Sequence, residues 1–273
     1  MRAPDVGRIL TRWARGRRDI SGLILIGSRL RRKGEAVARL DPQSDWDFQI
    51  IATRPEIFAN ADWMRGCRGL RVKAYGVRPA RIGGVPKVHI LLEGVEIDLV
   101  VIPAVQLRSL RAAQRRGEHL KPGPVRQAHQ DLAEVIRPGW EFLHGEKGWG
   151  AFFRRAVADV PDPRLNDAAV HNLAECFRCD HRWLERKLVR GELIAAQRML
   201  HQRMAETNLW LLDELRLRRG QRTFPQARRL ERIATPAELA AVTVSARLTR
   251  ASLRAAARKA AATCAWLKKQ LTG

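Results

Sequence analysis

The chain is poor in acid. Asp and Glu number 28 against 51 Lys and Arg in 273 residues, a formal charge of +23 at pH 7. A surplus of that size points to polyanionic partners, nucleic acid among them. It has no focus: residues 1–150 hold 27 basic and 16 acidic side chains, and residues 151–273 hold 24 and 12. A detachable basic tail is therefore excluded as its source. Cysteine is scarce as well, with four in the whole chain (Cys67, Cys176, Cys179, Cys264). That excludes a disulfide framework and makes a reducing cytoplasm the expected compartment. No uncharged apolar stretch approaches the roughly 20 residues of a spanning helix, so no membrane partner is expected. Arg17-Arg18 precedes only the short apolar run Gly22 to Gly27 before Arg29, Arg31, Arg32 and Lys33 intervene, which does not suit an export signal. What remains is ample for a core: 45% of residues are hydrophobic and 29% charged, as in one large or two modest domains.

Residues 5 to 103 alternate helix-like and strand-like segments. Val6, Ile9, Leu10 and Trp13 form a helical stripe within a helix over 5–19, which leads into a short apolar strand, Leu23 to Ile26. Further strands are predicted at Asp45 to Ile51, Arg71 to Val77, Lys87 to Leu92 and Val95 to Ile102. Gly83-Gly84 and Glu93-Gly94 read as hairpin turns, the second joining two strong strands. A helical pattern over 104–137 is broken by Lys121-Pro-Gly-Pro124, and a last short strand is expected at Gly139 to Leu143. The Gly- and Pro-containing stretch 145–166 marks a domain boundary. Beyond it the pattern is helical throughout: 167–190, 192–219, and one or two helices over 236–271. Thr235-Pro-Ala-Glu238 has the form of a capping box with Pro at the first helical position. The expected fold class is α+β: a catalytic domain over 1–148, with a mixed sheet flanked by helices, and an all-α bundle over 149–273.

Chemistry concentrates in three short segments. Residues two apart on a strand share a face, so Asp45 and Asp47 project together while Trp46 and Phe48 face the other way. On the later strand Val95, Ile97, Leu99 and Val101 share one face and Asp98 opens onto the other. Should the two strands pair, three carboxylates converge. Such a cluster suits Mg²⁺, a hard cation that also bridges phosphate oxygens. Upstream, Gly27-Ser28 at the end of the first strand permits close backbone approach and offers N–H groups to an anion.

In order and strand context, LILIGS (23–28), SDWDFQII (44–51) and VEIDLVVI (95–102) resemble the polymerase-beta-like nucleotidyltransferase superfamily. The segment ERKLVRGELIAAQRML (185–200) is similar to the helical domain of streptomycin 6-adenylyltransferase-type aminoglycoside enzymes, which confer antibiotic resistance. The resemblance implies transfer of a nucleoside monophosphate, AMP from an ATP co-substrate, to a hydroxyl of a small-molecule acceptor. It implies Asp45 and Asp47 as Mg²⁺ ligands, Asp98 as a further metal ligand or as the base, and Gly27, Ser28 and Arg29 as the phosphate cradle, with Arg31 or Arg32 as further contacts. Two features depart from the family: the Ser28–Asp45 connection is long and Arg-rich, and the chain is basic where a polycationic aminoglycoside would call for acid. An RNA or protein acceptor, or a non-catalytic nucleic-acid-binding module with the same fold, are the rival readings.

In the helix over 167–190, Leu173, Phe177, Leu184 and Leu188 recur at helical spacing, and Asp180 falls within that stripe. It is a candidate base or substrate-amine ligand, set against a salt bridge with an arginine. Lys187 is a candidate phosphate contact, set against a surface lysine. Cys176 and Cys179, followed by His181, lack a second Cys pair at metal spacing, and the two cysteines are read as core fillers rather than part of a zinc site. His89, with no Ser or Cys partner, is read as packing. Trp183 and Trp210 are expected on core faces, and the Arg164–His171 spacing is read as chance.

Overall fold

The computed structural model describes residues 5–30, 44–80, 83–160, 164–223 and 227–273. The chain divides into two compact units, Met1–Pro163 and Arg164–Gly273, and the division falls inside the 145–166 stretch.

The first unit begins with helix α1 (Val6–Arg15), capped by the Asp5 carboxylate, which accepts from the Arg8 N–H. Strand β1 (Ile20–Ile26) ends in a 3-10 turn, Gly27–Leu30. There follow β2 (Trp46–Ala52), two 3-10 turns (Pro55–Ala59 and Ala61–Gly66), β3 (Val72–Pro79), β4 (Pro86–Leu92) and β5 (Val95–Pro103). Helices α2 (Ala104–Arg115) and α3 (Pro124–Ile136), strand β6 (Trp140–His144) and helix α4 (Glu146–Asp159) complete the unit. The sheet order is β3-β4-β5-β2-β1-β6. Only β2 and β5 run parallel; the other neighbours are antiparallel. The mixed sheet flanked by helices is the architecture expected.

Each face of the sheet has its own core. Leu23, Leu25, Phe48, Ile50 and Leu99 pack beneath α1 and the 3-10 turns, where Trp13 meets Phe58 and Trp63 ring to ring. Ile24, Ile26, Ile51 and Ile102 pack against α2, α3 and α4, with Phe152 and Phe153 at the centre. Strands β1, β2 and β5 are covered on both sides, which is why they read as nearly continuous Ile, Leu and Val rather than as strict alternation. Strand β3 lies at the edge and is largely exposed.

The second unit contains α5 (Asp167–Val189), α6 (Leu193–Met199), a π-helical turn (Leu200–Met204), α7 (Ala205–Arg218), the short α8 (Leu230–Ile233), α9 (Pro236–Val242) and α10 (Arg250–Thr272). Its core includes Phe177, Leu184, Leu188, Leu211, Leu253 and Leu267. The Thr235–Glu238 capping box is formed, both reciprocal bonds being present. Trp210 corrects its expectation: it is 44% exposed, because the inward positions of α7 are Leu211, Leu212 and Leu215. Cys176 and Cys179 are exposed, not core fillers, since the inward stripe of α5 runs through Val170, Ala174, Phe177 and Leu184. No helix among the described residues is long and apolar enough to cross a membrane.

Candidate active site

Parallel pairing of β2 with β5 sets Asp47 opposite Asp98. Antiparallel pairing of β1 with β2 sets Ile26 beside Asp47, so the turn at Gly27 arrives over the same carboxylate. One oxygen from each of Asp45, Asp47 and Asp98 lies within 4.8 Å of the others. Three like charges at such spacing repel in the absence of a cation, and an all-oxygen donor set is the kind a hard divalent ion takes.

Gly27 makes this closeness tolerable. Its φ is +81°, and a Cβ placed there would collide with Asp47 Oδ2. Both the left-handed backbone and the missing side chain are therefore required. Ser28 follows in the same turn. Arg29 points to the protein itself: its Nε donates to the Asp45 carbonyl at 3.0 Å, its Nη2 donates to the Ser44 carbonyl at 2.6 Å, and its guanidinium lies 4.0 Å from the Trp46 ring centroid. It clamps the chain that carries Asp45 into β2. Burial lowers its pKa, opposed by the nearby charges of Asp45 and Asp47. Arg31, Arg32 and the connection they belong to lie outside the described residues.

Asp98 is held by residues the sequence reading passed over. Lys87 Nζ sits 2.5 Å from its Oδ2, and His89 Nδ1 sits 2.6 Å from its Oδ1. Arg78 Nε donates to His89 Nε2 at 2.6 Å, which leaves the His89 hydrogen on Nδ1, aimed at the carboxylate. His89 is thus not a packing residue but the middle of a chain from Arg78 to Asp98. The signal was available: a two-residue hairpin at Glu93-Gly94 pairs Leu92 with Val95, and counting back along both strands sets His89 opposite Asp98.

A cleft of about 780 Å³ opens from the acid cluster, between the sheet and helices α2 and α3. Asp47, Gln49, Lys87 and Asp98 lie at its polar end, and apolar side chains such as Val100, Ile102, Leu107 and Leu110 line most of the rest.

Two candidates belong to the second unit. Asp180 is partly buried and meets Arg203 Nε at 3.4 Å, Arg203 being presented by the π-helical turn. Lys187 pairs with Glu192 at 2.5 Å and lies 4.8 Å from the Trp183 ring centroid. Arg164 binds Glu214.

No family model matches the chain, and no curated protein matches it. Among solved structures it is similar to an aminoglycoside 6-adenyltransferase from Bacillus subtilis, with TM-score 0.40 and 12% identity over 98% of this chain and 89% of that one. It is also similar to a nucleotidyltransferase-like protein from Exiguobacterium sibiricum, with TM-score 0.37 and 11% identity over 97% of this chain and 73% of that one. At such values the functional reading has to rest on the site.

Proposed function

We propose that the protein is a Mg²⁺-dependent nucleotidyltransferase that moves a nucleoside monophosphate, AMP from ATP, to a hydroxyl of a small molecule. The observation that carries this reading is the convergence of Asp45, Asp47 and Asp98 within 4.8 Å beside a glycine turn that only a residue without Cβ can make. Asp45 and Asp47 would hold the metal, with Asp98 as the third ligand. Bound Mg²⁺ supplies charge neutralisation at the triphosphate and at the entering and leaving oxygens.

The chain's own residues perform the remaining tasks. The turn at Gly27 and Ser28 presents backbone N–H groups to the β and γ phosphates. Arg29 fixes the position of Asp45 through two carbonyl bonds. Asp98 takes the acceptor's hydroxyl proton as that oxygen bonds to the α-phosphorus; the bond from the α-phosphorus to its bridging oxygen breaks, and pyrophosphate leaves with the electron pair. His89 orients Asp98, and Lys87 balances charge beside it. Asp180 and Lys187 have partners in their own unit and are not assigned a step. The reducing cytoplasm is the compartment this reading favours.

Pyrophosphate release from ATP and Mg²⁺ with an acceptor panel tests the reading. Asp45→Asn and Asp47→Asn are each expected to lower the rate about 10³-fold, since metal charge stabilisation is worth several kcal/mol. Release that survives both substitutions removes the proposed chemistry.

A further inference from the structure

The cleft contains one polar atom whose state is hard to explain without a ligand. Gln49 is 3% exposed, lies among the residues lining the cleft, and its Oε1 accepts no hydrogen bond from any described residue. A buried carbonyl oxygen without a donor is costly, and a hydrocarbon of the same shape would fill the position without that cost. Gln49 stands two residues beyond Asp47 on β2, on the same face of the sheet, with Val100 of β5 opposite. A molecule that reached the acid cluster through the cleft would therefore pass the Gln49 side chain.

The remaining lining defines the kind of molecule. A volume of about 780 Å³ lies within the range of sites that enclose a drug-sized ligand. Its walls are mainly aliphatic, and Val105, which contributes to them, is 61% exposed. Of the carboxylates along it, Glu118 is already paired with Arg116 at 2.6 Å, while Asp131 accepts from the neutral Gln127 at 2.9 Å. The chain's charge of +23 further opposes a polycation.

We propose that this cleft receives the acceptor, and that the acceptor is an uncharged, mostly apolar molecule offering one hydrogen-bond donor to Gln49 Oε1 and a hydroxyl to Asp98. The acceptor role rests on the nucleotidyltransferase reading; the shape and polarity of the cleft do not. In the transfer, the hydroxyl oxygen bonds to the α-phosphorus, its proton passes to Asp98, and pyrophosphate departs, so no further reactant is needed.

N-phenyl-1-naphthylamine, an uncharged aromatic with a single N–H donor, is a probe of the full-length protein. Its fluorescence is expected to rise saturably, with one probe bound per chain. Gln49→Met should weaken binding about tenfold, the effect of one buried hydrogen bond. Ala128→Trp, which fills the cleft from α3, should weaken it by at least that factor. Asp45→Asn should leave probe binding intact while Mg²⁺–ATP binding is lost, and streptomycin should not displace the probe. The proposal is overturned if binding does not saturate, if neither cleft variant changes it while circular dichroism shows both folded, or if streptomycin competes. A second arm supplies α-labelled ATP with 2-(1-naphthylamino)ethanol, which carries both an N–H donor and a hydroxyl, or streptomycin. Label passing to the naphthyl alcohol supports the proposal, and label passing to streptomycin alone overturns it. If no pyrophosphate is released with any acceptor while the probe still binds and responds to both cleft variants, the transferase reading fails and the acceptor role falls with it.

Discussion

Two acids buried in the second unit and three half-buried in the first are surrounded differently. In the second, Glu214 is 3% exposed and surrounded by donors: Arg164, Arg218 and the Leu165 N–H all reach its carboxylate. Burial raises its pKa, but those bonds together outweigh burial and hold it below the usual carboxylate range. Glu238 is likewise matched, with Arg216 Nη1 at 2.6 Å and the Thr235 N–H at 2.8 Å. In the first unit, Asp45, Asp47 and Asp98 are gathered against one another, with Lys87 and His89 reaching Asp98 from one side. A lone carboxylate enclosed by its own cations, as at Glu214, has a structural role. Carboxylates crowded together leave a charge deficit that a bound cation can fill, and that is the mark of a binding site. In a protein with 51 basic residues, the crowding is the more informative arrangement, because arginines to relieve it are abundant.

The largest effect on stability should come from breaking a matched pair. Glu238→Ala would leave Arg216, itself 4% exposed, buried without its counter-charge, and would remove half of the capping box. The expected cost is about 3–5 kcal/mol, read as a lowered urea midpoint by circular dichroism. Asp47→Asn should lower the same midpoint far less, although it removes activity, because it also relieves repulsion from Asp45 and Asp98. A loss of stability in Asp47→Asn as large as that in Glu238→Ala would erase the distinction between the units.

Gly27→Ala should come next. A left-handed alanine costs about 1–2 kcal/mol, and its Cβ would also displace Asp47. The expected outcome is a modest fall in the urea midpoint together with weaker Mg²⁺ binding by isothermal titration calorimetry. A variant that loses stability but keeps its metal affinity would show that the turn does not set the spacing of the carboxylates.

These two sites also show how far the sequence could be read. The strand faces of Asp45, Asp47 and Asp98 were legible from period-two alternation, and so was the glycine that precedes them, because both are local. The helical character of residues 167–190 and 192–219, and of the two helices within 236–271, was legible for the same reason. The roles of Lys87 and His89 depended on register across the Glu93-Gly94 hairpin, a non-local relation that could be computed from the turn but not seen within either segment. Arg29 illustrates a different limit: its residue type suits phosphate and carbonyl oxygens equally, and only the packing of Trp46 and the course of the chain at Ser44 decide between them. The inward face of α7 was missed because its apolar residues Leu209, Trp210, Leu211 and Leu212 are consecutive, so periodicity alone does not choose among them.

The smallest predicted effect lies at the residue next to Glu214. Asp213 has no such surround of donors: burial pushes its carboxyl up to about 6, with Glu206 adding to the rise and Arg216 only partly opposing it. Its folded pKa is therefore above the unfolded value of 3.8. An acid raised in this way favours folding most below the unfolded pKa, and loses that contribution as pH rises through the folded pKa. Asp213→Asn keeps the shape and removes the charge, so it should raise the melting temperature at pH 7 by a few degrees, on the order of what about 1 kcal/mol does in a domain of this size. The advantage should shrink as pH falls through 6 and vanish near pH 4, in scanning fluorimetry run across that range. Glu214→Gln should do the reverse, destabilising at pH 7 and becoming milder in acid as the native carboxylate is itself protonated. Opposite pH slopes from two adjacent side chains on one helix would show that burial sets the direction at Asp213 and that hydrogen-bonding partners reverse it at Glu214.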